Sequence, residues 1–436
     1  MPKKITRAVY YITILLAVVL FSEKFIIKTL LCPAVSYTDF TSYYIAADAI
    51  KQKGSPYDSI DIRDNHIVNV VKPEELERMG IKFSVPEKYA YTYPPVLSLL
   101  LVPLTYLKYP SAVVFWNIIN LFIFASSVCL TLLIINSRPF ALITALTLLL
   151  FLGSMPSYET FSLGQVNYFV YSLCLAAFIY EERGQSKLSA FLLAFASVLK
   201  VTPVALALYF LFFSKRKDYI VYYAGFGLGI LLLSGLPIGL SNLYYYLTYI
   251  LPKLAGSYLL DNNKALTSLF SRVFLENPMV TPLLISKTLA NTFTAVIAAV
   301  IISVTGIILV RAKILRSYES RVLAFSSCLV FMLLLQTLLE IHHLIYAFLP
   351  LLVVIYYSKL KPVTKTGVFL LLIMMLNTRG WNAMVHFGSG WWVIFLTAPQ
   401  ILGLILLFFF LYIEVSRLRC SSNIQTFMAN PEKQTK

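Results

Sequence analysis

The sequence predicts an all-α polytopic membrane protein, with about 12 transmembrane helices when spans of ~20 residues are combined with the positive-inside rule. Of its 436 residues, 59% are hydrophobic and 13% are charged, and the mean hydropathy of +0.77 is far above that of a soluble domain. The net charge of +16 comes from 36 basic and 20 acidic residues. Much of this excess lies in short loops and at the termini, which is a membrane-orientation signal, and no nucleic-acid partner is expected.

The charge pattern predicts a single transmembrane domain over residues 1–419, with both termini in the cytosol. Basic residues precede the first apolar run and no small-residue cleavage site follows it, so we expect an uncleaved first span. Residues 32–93 then form the first extracytoplasmic loop, residues 237–290 a second large outer loop, and residues 420–436 a polar cytosolic tail. The cysteines have no paired spacing, so neither a disulfide framework nor a thiolate metal site is expected.

The stretch from Tyr37 to Tyr57 contains the carboxylate around which we expect the chain to be organised. Its apolar residues recur at spacings of three and four, which predicts an amphipathic juxtamembrane helix lying at the interface. Thr38 is the expected N-cap, and Asp39 falls in the first turn, where the helix dipole favours its ionised form. Gly54 and Pro56 are expected to end the helix. The alternative is that Asp39 is a first-turn residue of a helix and has no catalytic role.

Prolines predict two further helix starts. Pro73 opens a short helix with acidic residues in its first turn and Gly80 as its stop, and Pro94 and Pro95 open the apolar run that begins at Val96. The first of these adds a second short helix to the outer loop. The second holds the preceding tyrosines at the membrane interface.

Lys200 interrupts a long apolar run shortly before a proline. A lysine within the membrane costs ~2.5–3.5 kcal/mol on insertion scales, so such residues usually face a cavity or a partner, for which an anionic lipid phosphate is suited. The alternative is that the side chain snorkels to the interface at a broken helix. Gln165 and Asn167 stand at the start of another apolar run, where a helix cap explains them as well as a bound sugar does.

His342 and His343 follow an apolar run that ends on the same outer side as Asp39. A carboxylate and an imidazole at the mouth of a helix bundle suit proton abstraction and the orientation of an acceptor hydroxyl. Histidines at a helix start are more often structural or exposed, so both interpretations stay open here. Adjacent positions point about 100° apart on a helix, so only one of the two is expected to face a cleft.

The apolar run at residues 140–152 is too short for a straight crossing and leaves two topologies open. In one, the run crosses inward and Gly164 and Gln165 lie in the cytosol. In the other, residues 140–163 re-enter from the outside and the following long helix breaks at Lys200. Both topologies keep the same parity, so loop charge does not separate them. Avoiding an unpaired cation in mid-membrane favours the re-entrant arrangement.

Several short motifs occur in order along the membrane region. They are Asp39-Phe-Thr-Ser-Tyr43-Tyr44, Ala46-Ala47, Gly54-Ser-Pro56-Tyr57, Tyr91-Thr-Tyr-Pro94-Pro95, Leu163-Gly-Gln-Val-Asn167, Lys200-Val-Thr-Pro203 and His342-His343. Together they resemble the polyprenyl-phosphate-dependent glycosyltransferases of family 87, in the GT-C superfamily. Each motif alone is weak, and the ordered set is specific.

The resemblance implies a GT-C fold with short juxtamembrane helices in the first outer loop. It also implies a membrane enzyme that moves a sugar, mannose or arabinofuranose in known relatives, from a polyprenyl monophosphate to a cell-envelope glycolipid or glycan. Asp39 corresponds to the general base that acts on the acceptor hydroxyl, and His342 or His343 to a histidine late in such chains. Donor and phosphate binding is expected of Lys200, Gln165, Asn167, Tyr43 and Tyr93.

The sequence contains no Asp-x-Asp, the usual clamp for a metal and a nucleotide, so we expect no nucleotide sugar, no essential metal and no other cofactor. One base is enough for a single inverting displacement in which Asp39 takes the proton and Lys200 stabilises the leaving phosphate. A double displacement would need a second close carboxylate, for which Glu340 is the outer-face candidate.

Two functions of other classes remain as alternatives to an enzyme. A transporter or flippase of polyprenyl-linked glycans should carry charges through the bundle interior, whereas here the informative polar groups lie at the outer mouth. A non-catalytic scaffold would only bind lipid-linked sugar. For the enzyme, we expect a multi-pass protein of the cell membrane with an extracytoplasmic active site.

Overall fold

The computed structural model describes residues 3–23, 38–58, 60–63, 66–69, 72–81, 90–136, 142–254, 263–277, 281–377 and 398–418. The predicted tail at 420–436 and parts of both predicted outer loops, 32–93 and 237–290, lie outside them. The described chain is mostly helical, as predicted. The sequence did not predict the antiparallel hairpin of β1 (Ile60–Arg63) and β2 (His66–Asn69) in the first loop.

The helices follow one another along the chain and carry the labels used below. They are α1 (Lys3–Phe21), α2 (Thr38–Lys51), α3 (Pro73–Met79), α4 (Pro95–Leu101), α5 (Tyr109–Ile135), α6 (Leu142–Gly153), α7 (Met155–Ser162), α8 (Asn167–Glu182), α9 (Ser186–Leu199), α10 (Ala207–Phe213), α11 (Tyr219–Ile238), α12 (Leu240–Tyr245), α13 (Leu251–Leu254), α14 (Leu266–Phe274), α15 (Lys287–Leu315), α16 (Tyr318–Leu334), α17 (Phe348–Tyr357), α18 (Pro362–Asn377) and α19 (Pro399–Arg417). Short 3-10 helices cover Val102–Tyr106, Thr202–Leu206 and Ile341–Ala347, and a π-helical turn covers Tyr246–Ile250.

Four helices in the described part of the chain are long and apolar enough to cross a membrane: α5, α11, α15 and α19. The count rises to five if α7 and α8, which meet at a bend of 119°, together form one span. Several shorter apolar helices surround them. The chain is therefore a multi-spanning membrane protein, and the count of about 12 crossings, from the ~20-residue rule, stays a prediction.

The helix that carries Asp39 is buried inside the protein, so the prediction that it is amphipathic is wrong, while its position at the membrane interface stays a prediction. Every residue from Phe40 to Asp48 is buried, on all sides of α2. Polar side chains tolerate this because they find internal partners: the Thr41 and Tyr109 hydroxyls lie 2.6 Å apart, and the Tyr44 hydroxyl donates to a backbone carbonyl at 2.8 Å. The helix begins at Thr38, which was expected to be its cap, and Asp39 lies in the first turn as predicted.

Both helix starts predicted from proline are confirmed. α3 begins at Pro73 and ends at Gly80, whose φ of 78° is the left-handed conformation that glycine adopts without strain. α4 begins at Pro95 after an extended Pro94. Of the tyrosines before it, Tyr91 is fully buried and its hydroxyl donates to the carbonyl of Pro94, whereas Tyr93 is partly buried.

The helix break predicted at Lys200 is also confirmed. α9 ends at Leu199, Lys200 has extended backbone angles, and a 3-10 helix and α10 then continue the run. Around this break α8 packs against both α5 and α9, and these contacts form the central part of the core. The break frees Lys200 from the helical direction of α9 so that its side chain can meet the start of α8.

Candidate active site

The turn between α7 and α8 docks directly onto the first turn of α2. The carbonyl oxygen of Leu163 accepts hydrogen bonds from the backbone N–H groups of Asp39 and Phe40, each at 3.1 Å. Gly164 has a φ of +69°, and a Cβ there would lie 2.6 Å from the Cβ of Phe40. Trp116 closes the turn from α5, since its ring N–H donates to the carbonyl of Gly164 at 2.8 Å. Only glycine permits this close approach, which fixes where Asp39 stands.

Gln165 holds the side chain of Asp39. Its Nε2 donates to Oδ2 of Asp39 at 2.7 Å, and its Oε1 accepts from the hydroxyls of Tyr43 and Tyr93, each at 3.1 Å. With a carboxylate on one side and two O–H donors on the other, the amide has only one favourable orientation. The arrangement holds one oxygen of Asp39 and leaves its Oδ1 for another partner.

Lys200 is the cation of the site. Its side chain is buried, its Nζ donates to Oδ1 of Asn167 at 2.6 Å, and it lies 5.7 Å from the ring centroid of Tyr93. Asn167 in turn donates from Nδ2 to the backbone carbonyl of His342 at 3.2 Å. These contacts contradict the two structural alternatives given above. The Lys200 side chain does not extend to the interface, and the Asn167 side chain does not cap α8. Asn167 instead joins the lysine to the histidine segment.

The two histidines differ in their contacts. His343 and Glu340 form a reciprocal cap at the start of the 3-10 helix, in which each side chain accepts from the other's backbone N–H, and His343 also shares a hydrogen bond with the backbone of Leu338. The Nε2 of His342 is buried and makes no hydrogen bond within the described residues; it lies 3.5 Å from Oε2 of Glu340. His342 is therefore the histidine with a free ring nitrogen in the site.

Burial raises the pKa of both carboxylates of the site, Asp39 and Glu340. Burial raises the pKa of Asp39 to about 6, against the opposing effects of the Gln165 hydrogen bond and the Lys200 charge. Burial also raises the pKa of Glu340 to about 7, with the negative charge of Asp39 adding to the shift. A carboxylate with a pKa near 6 is ionised at neutral pH and is a stronger base than an exposed one.

One group of side chains could hold a metal ion. Within the described residues, Glu340, His342 and His343 offer ligand atoms that all lie within 4.8 Å of one another. The Lys200 ammonium acts on both histidines and on Glu340, and this charge opposes a second cation. The expectation of no essential metal stays a prediction.

The structure brings all eight site residues expected from the sequence into one hydrogen-bonded and packed cluster. Their neighbours differ from the expectation in one respect, because two residues assigned to the donor phosphate lie on the carboxylate side. Gln165 donates to Asp39, and Tyr43 donates to Gln165. Tyr93 lies between the two sides, bonded to Gln165 and facing Lys200. Because Gln165 and Asp39 touch, they lie at the same end of the bundle, which favours the re-entrant topology.

The sequence did not predict several groups that position or charge the site. The Leu163 carbonyl and the Trp116 ring position Asp39 through backbone contacts, which no residue pattern reports. Glu159 was also missed, although its charge contributes to raising the pKa of Glu340. Its place on α7, just before the Leu163–Asn167 motif, is the one signal that could have found it.

Comparison with known proteins assigns the chain to a family. The family model of glycosyltransferase family 87 matches residues 91–339, more than half of the chain. The matched region contains Tyr93, Gln165, Asn167 and Lys200 and ends before His342 and His343. No match was found among proteins of curated function. With apolar helices able to cross a membrane and this match, the chain belongs to glycosyltransferase family 87 and is a membrane glycosyltransferase.

Proposed function

We propose that the enzyme transfers a sugar from a polyprenyl monophosphate to a hydroxyl of a glycolipid or glycan acceptor, with inversion, on the outer face of the cell membrane. Mannose is the proposed sugar, with arabinofuranose as the second choice. The GT-C fold and the polyprenyl-phosphate donor are part of this proposal. No metal or other cofactor takes part in the proposed reaction.

Two groups of the site carry the proposal. One is Asp39, a carboxylate that a hydrogen bond holds in place, and the other is Lys200, a buried cation that forms no ion pair within the described residues. Gln165 binds one oxygen of Asp39 and leaves the other free to accept a proton. Lys200 makes no ion pair with any carboxylate in the described part of the chain, although it is buried. Because a buried charge needs compensation, an anionic substrate group is its natural partner, and the phosphodiester that joins the sugar to the polyprenol provides one negative charge.

The proposed reaction is a single displacement. The acceptor oxygen attacks the anomeric carbon while the bond from that carbon to the phosphate oxygen breaks. The acceptor proton passes to Asp39, and the electron pair of the broken bond leaves with the polyprenyl phosphate. Lys200 stabilises the negative charge that develops on the phosphate, and His342 donates to it from Nε2.

Purified protein in detergent or lipid discs tests this function directly. With polyprenyl monophosphates carrying mannose or arabinofuranose, we expect release of polyprenyl phosphate that depends on a sugar acceptor and persists with a chelator present. The anomeric configuration of the product, read by NMR, should be opposite to that of the donor. Binding without release of polyprenyl phosphate would instead favour a scaffold, and chelator-sensitive release would reject the metal-free reaction.

The pH profile reports on the base. Since the pKa of Asp39 is raised to about 6, the carboxylate is protonated and inactive below that pH and ionised above it. We expect kcat/KM, which reports the pKa values of the free enzyme, to rise as the pH is raised through about 6 and then to level off. Glu340 titrates near 7, so the same profile is measured for Glu340→Gln. The rise in activity near pH 6 should remain in Glu340→Gln. Loss of this rise would assign the general base to Glu340.

The two histidines should respond differently to substitution. His342→Ala removes the free Nε2 beside Glu340, and we expect transfer to fall by about 100-fold with little change in stability. His343→Ala removes the acceptor for the Glu340 N–H, and we expect a loss of about 1 kcal/mol of stability with a small change in turnover. His343→Asn, which keeps an acceptor, should recover the stability. Equal, mild effects on transfer would contradict a catalytic histidine.

A further inference from the structure

A polar cavity lies beside α2 and is lined by none of the catalytic groups. Its volume is about 390 Å³, within the range of about 300–1,000 Å³ that is usual for small-molecule sites. It is partly open to its surroundings and is bounded by α2, α3 and the turn after α2. The mechanism above makes no use of it.

One face of α2 and one face of α3 line this cavity. The lining residues of α2 recur at spacings of three and four, and so do those of α3 and the residue before it. The turn after α2 supplies the third wall. The lining residues are Ile45, Asp48 and Ala49 from α2, Lys72, Glu75, Arg78 and Met79 from the α3 side, and Gln52, Gly54 and Asp58 from the turn after α2.

The cavity is built around one buried carboxylate. Asp48 is only 5% exposed, and its Oδ2 accepts from Gln52 at 2.6 Å and from Arg78 at 2.8 Å. Asp58 is likewise held, accepting from the backbone N–H of Ser55 at 2.6 Å. These bonds orient both carboxylates and leave each with an oxygen, and further lone pairs, available to a ligand. The site is therefore prepared before a ligand enters, which lowers the entropic cost of binding.

The lining chemistry selects a class of ligand. The lining combines three carboxylates, one amide and two cations, and both cations, Lys72 and Arg78, come from the α3 side. Such a mixture repels neither charge sign and binds neither strongly, which disfavours a phosphate or a metal ion. Planar groups that donate and accept in pairs match the neighbouring hydroxyls of a sugar ring, and Ile45 and Met79 offer an apolar floor for its C–H face.

We propose that this cavity binds a sugar unit of the acceptor glycan at a distance from the point of transfer. The proposal rests on the glycosyltransferase function proposed above. Asp48 follows Asp39 on the same helix, about 14 Å along the axis and half a turn around it. One sugar unit cannot occupy both places, so only an acceptor several units long reaches the cavity and Asp39 together. The cavity then raises the affinity for long acceptors by holding them beside the site.

Matched variants on α3 test the proposal. Glu75 lines the cavity, whereas Glu74, its neighbour with the same charge, does not. The kcat/KM values for long and short acceptors are compared, using oligomannosides and oligoarabinofuranosides of increasing length. We expect Glu75→Ala and Gln52→Ala to lower the long-to-short ratio by about 10-fold, mainly through KM, because each removes a hydrogen-bonding group worth about 1.4 kcal/mol. Glu74→Ala should keep the wild-type ratio.

An unchanged ratio in Glu75→Ala and Gln52→Ala, or an equal change in Glu74→Ala, would overturn the proposal. A direct binding measurement separates this failure from failure of the proposed function. In Asp39→Asn protein, which keeps the cavity, labelled long oligosaccharides should bind, and adding Glu75→Ala should weaken binding by about 10-fold. Binding that Glu75→Ala does not change, or no binding of either oligosaccharide series, would reject the cavity as a glycan subsite whether or not the wild type transfers sugar.

Discussion

Asp39→Asn is expected to lower sugar transfer by at least about 100-fold, the usual size of a general-base contribution, while leaving the amount of folded membrane protein unchanged. The asparagine carbonyl can still accept the Gln165 hydrogen bond that now ends on Oδ2, so the turn between α7 and α8 should stay docked. What is lost is an oxygen able to take the acceptor proton. The measurement is product formation per folded enzyme, with a thermal unfolding midpoint for each variant.

Glu181→Gln is the matched control for this change. Glu181 is a buried carboxylate at the far end of α8 from Asn167, where it accepts hydrogen bonds from Ser186, Ser214 and the backbone of Lys215. Its replacement can lower stability, but turnover per folded molecule should stay at the wild-type value. Near-normal turnover in Asp39→Asn would reject the assignment of the base.

Lys200→Met is expected to lower transfer by about 100-fold or more, because it removes the charge that we propose stabilises the leaving phosphate. Methionine keeps much of the side-chain volume and removes a buried charge, so we expect the fold to be retained. The lost partner is the oxygen of Asn167, which a water molecule can satisfy. If the effect is on the transition state, kcat falls more than the affinity for the donor changes.

Lys187→Met makes the same chemical change on α9, the helix that ends just before Lys200. Lys187 lies in the first turn of α9, exposed and over the ring of Tyr222. Transfer by this variant should equal that of the wild type. If Lys200→Met behaves like Lys187→Met, the buried lysine does not serve the donor phosphate, and the unpaired cation would lose its proposed role.

Much of the site could be predicted because its members carry local signals. A lysine within an apolar run, a carboxylate in the first turn of a helix and a histidine pair at the end of a span are each unusual in a membrane protein, and the structure joins all of them. Helix ends marked by Pro73, Gly80 and Lys200 were also predictable, since proline, glycine and a buried charge act on the backbone near their own position.

The sequence could not predict which helix surfaces pack against each other. Periodicity in α2 indicates an apolar stripe, but whether its polar side is wet or buried depends on partners far along the chain, such as Tyr109. The same holds for Gln165, whose bond to Asp39 spans more than a hundred residues and depends on a bend that places Gly164 against Phe40. The count of membrane crossings likewise depends on packing, because short helices are ambiguous by length alone.

The assembly of the site from distant segments has a consequence for the synthesis of the protein. Asp39 leaves the ribosome first, and the amide that holds it, the cation opposite it and the histidine beside that cation follow in chain order, His342 last of all. Until the later segments are inserted, Asp39 lacks the partners that surround it in the folded protein. A chain that ends before His342 therefore lacks part of the candidate site, and we expect it to transfer no sugar.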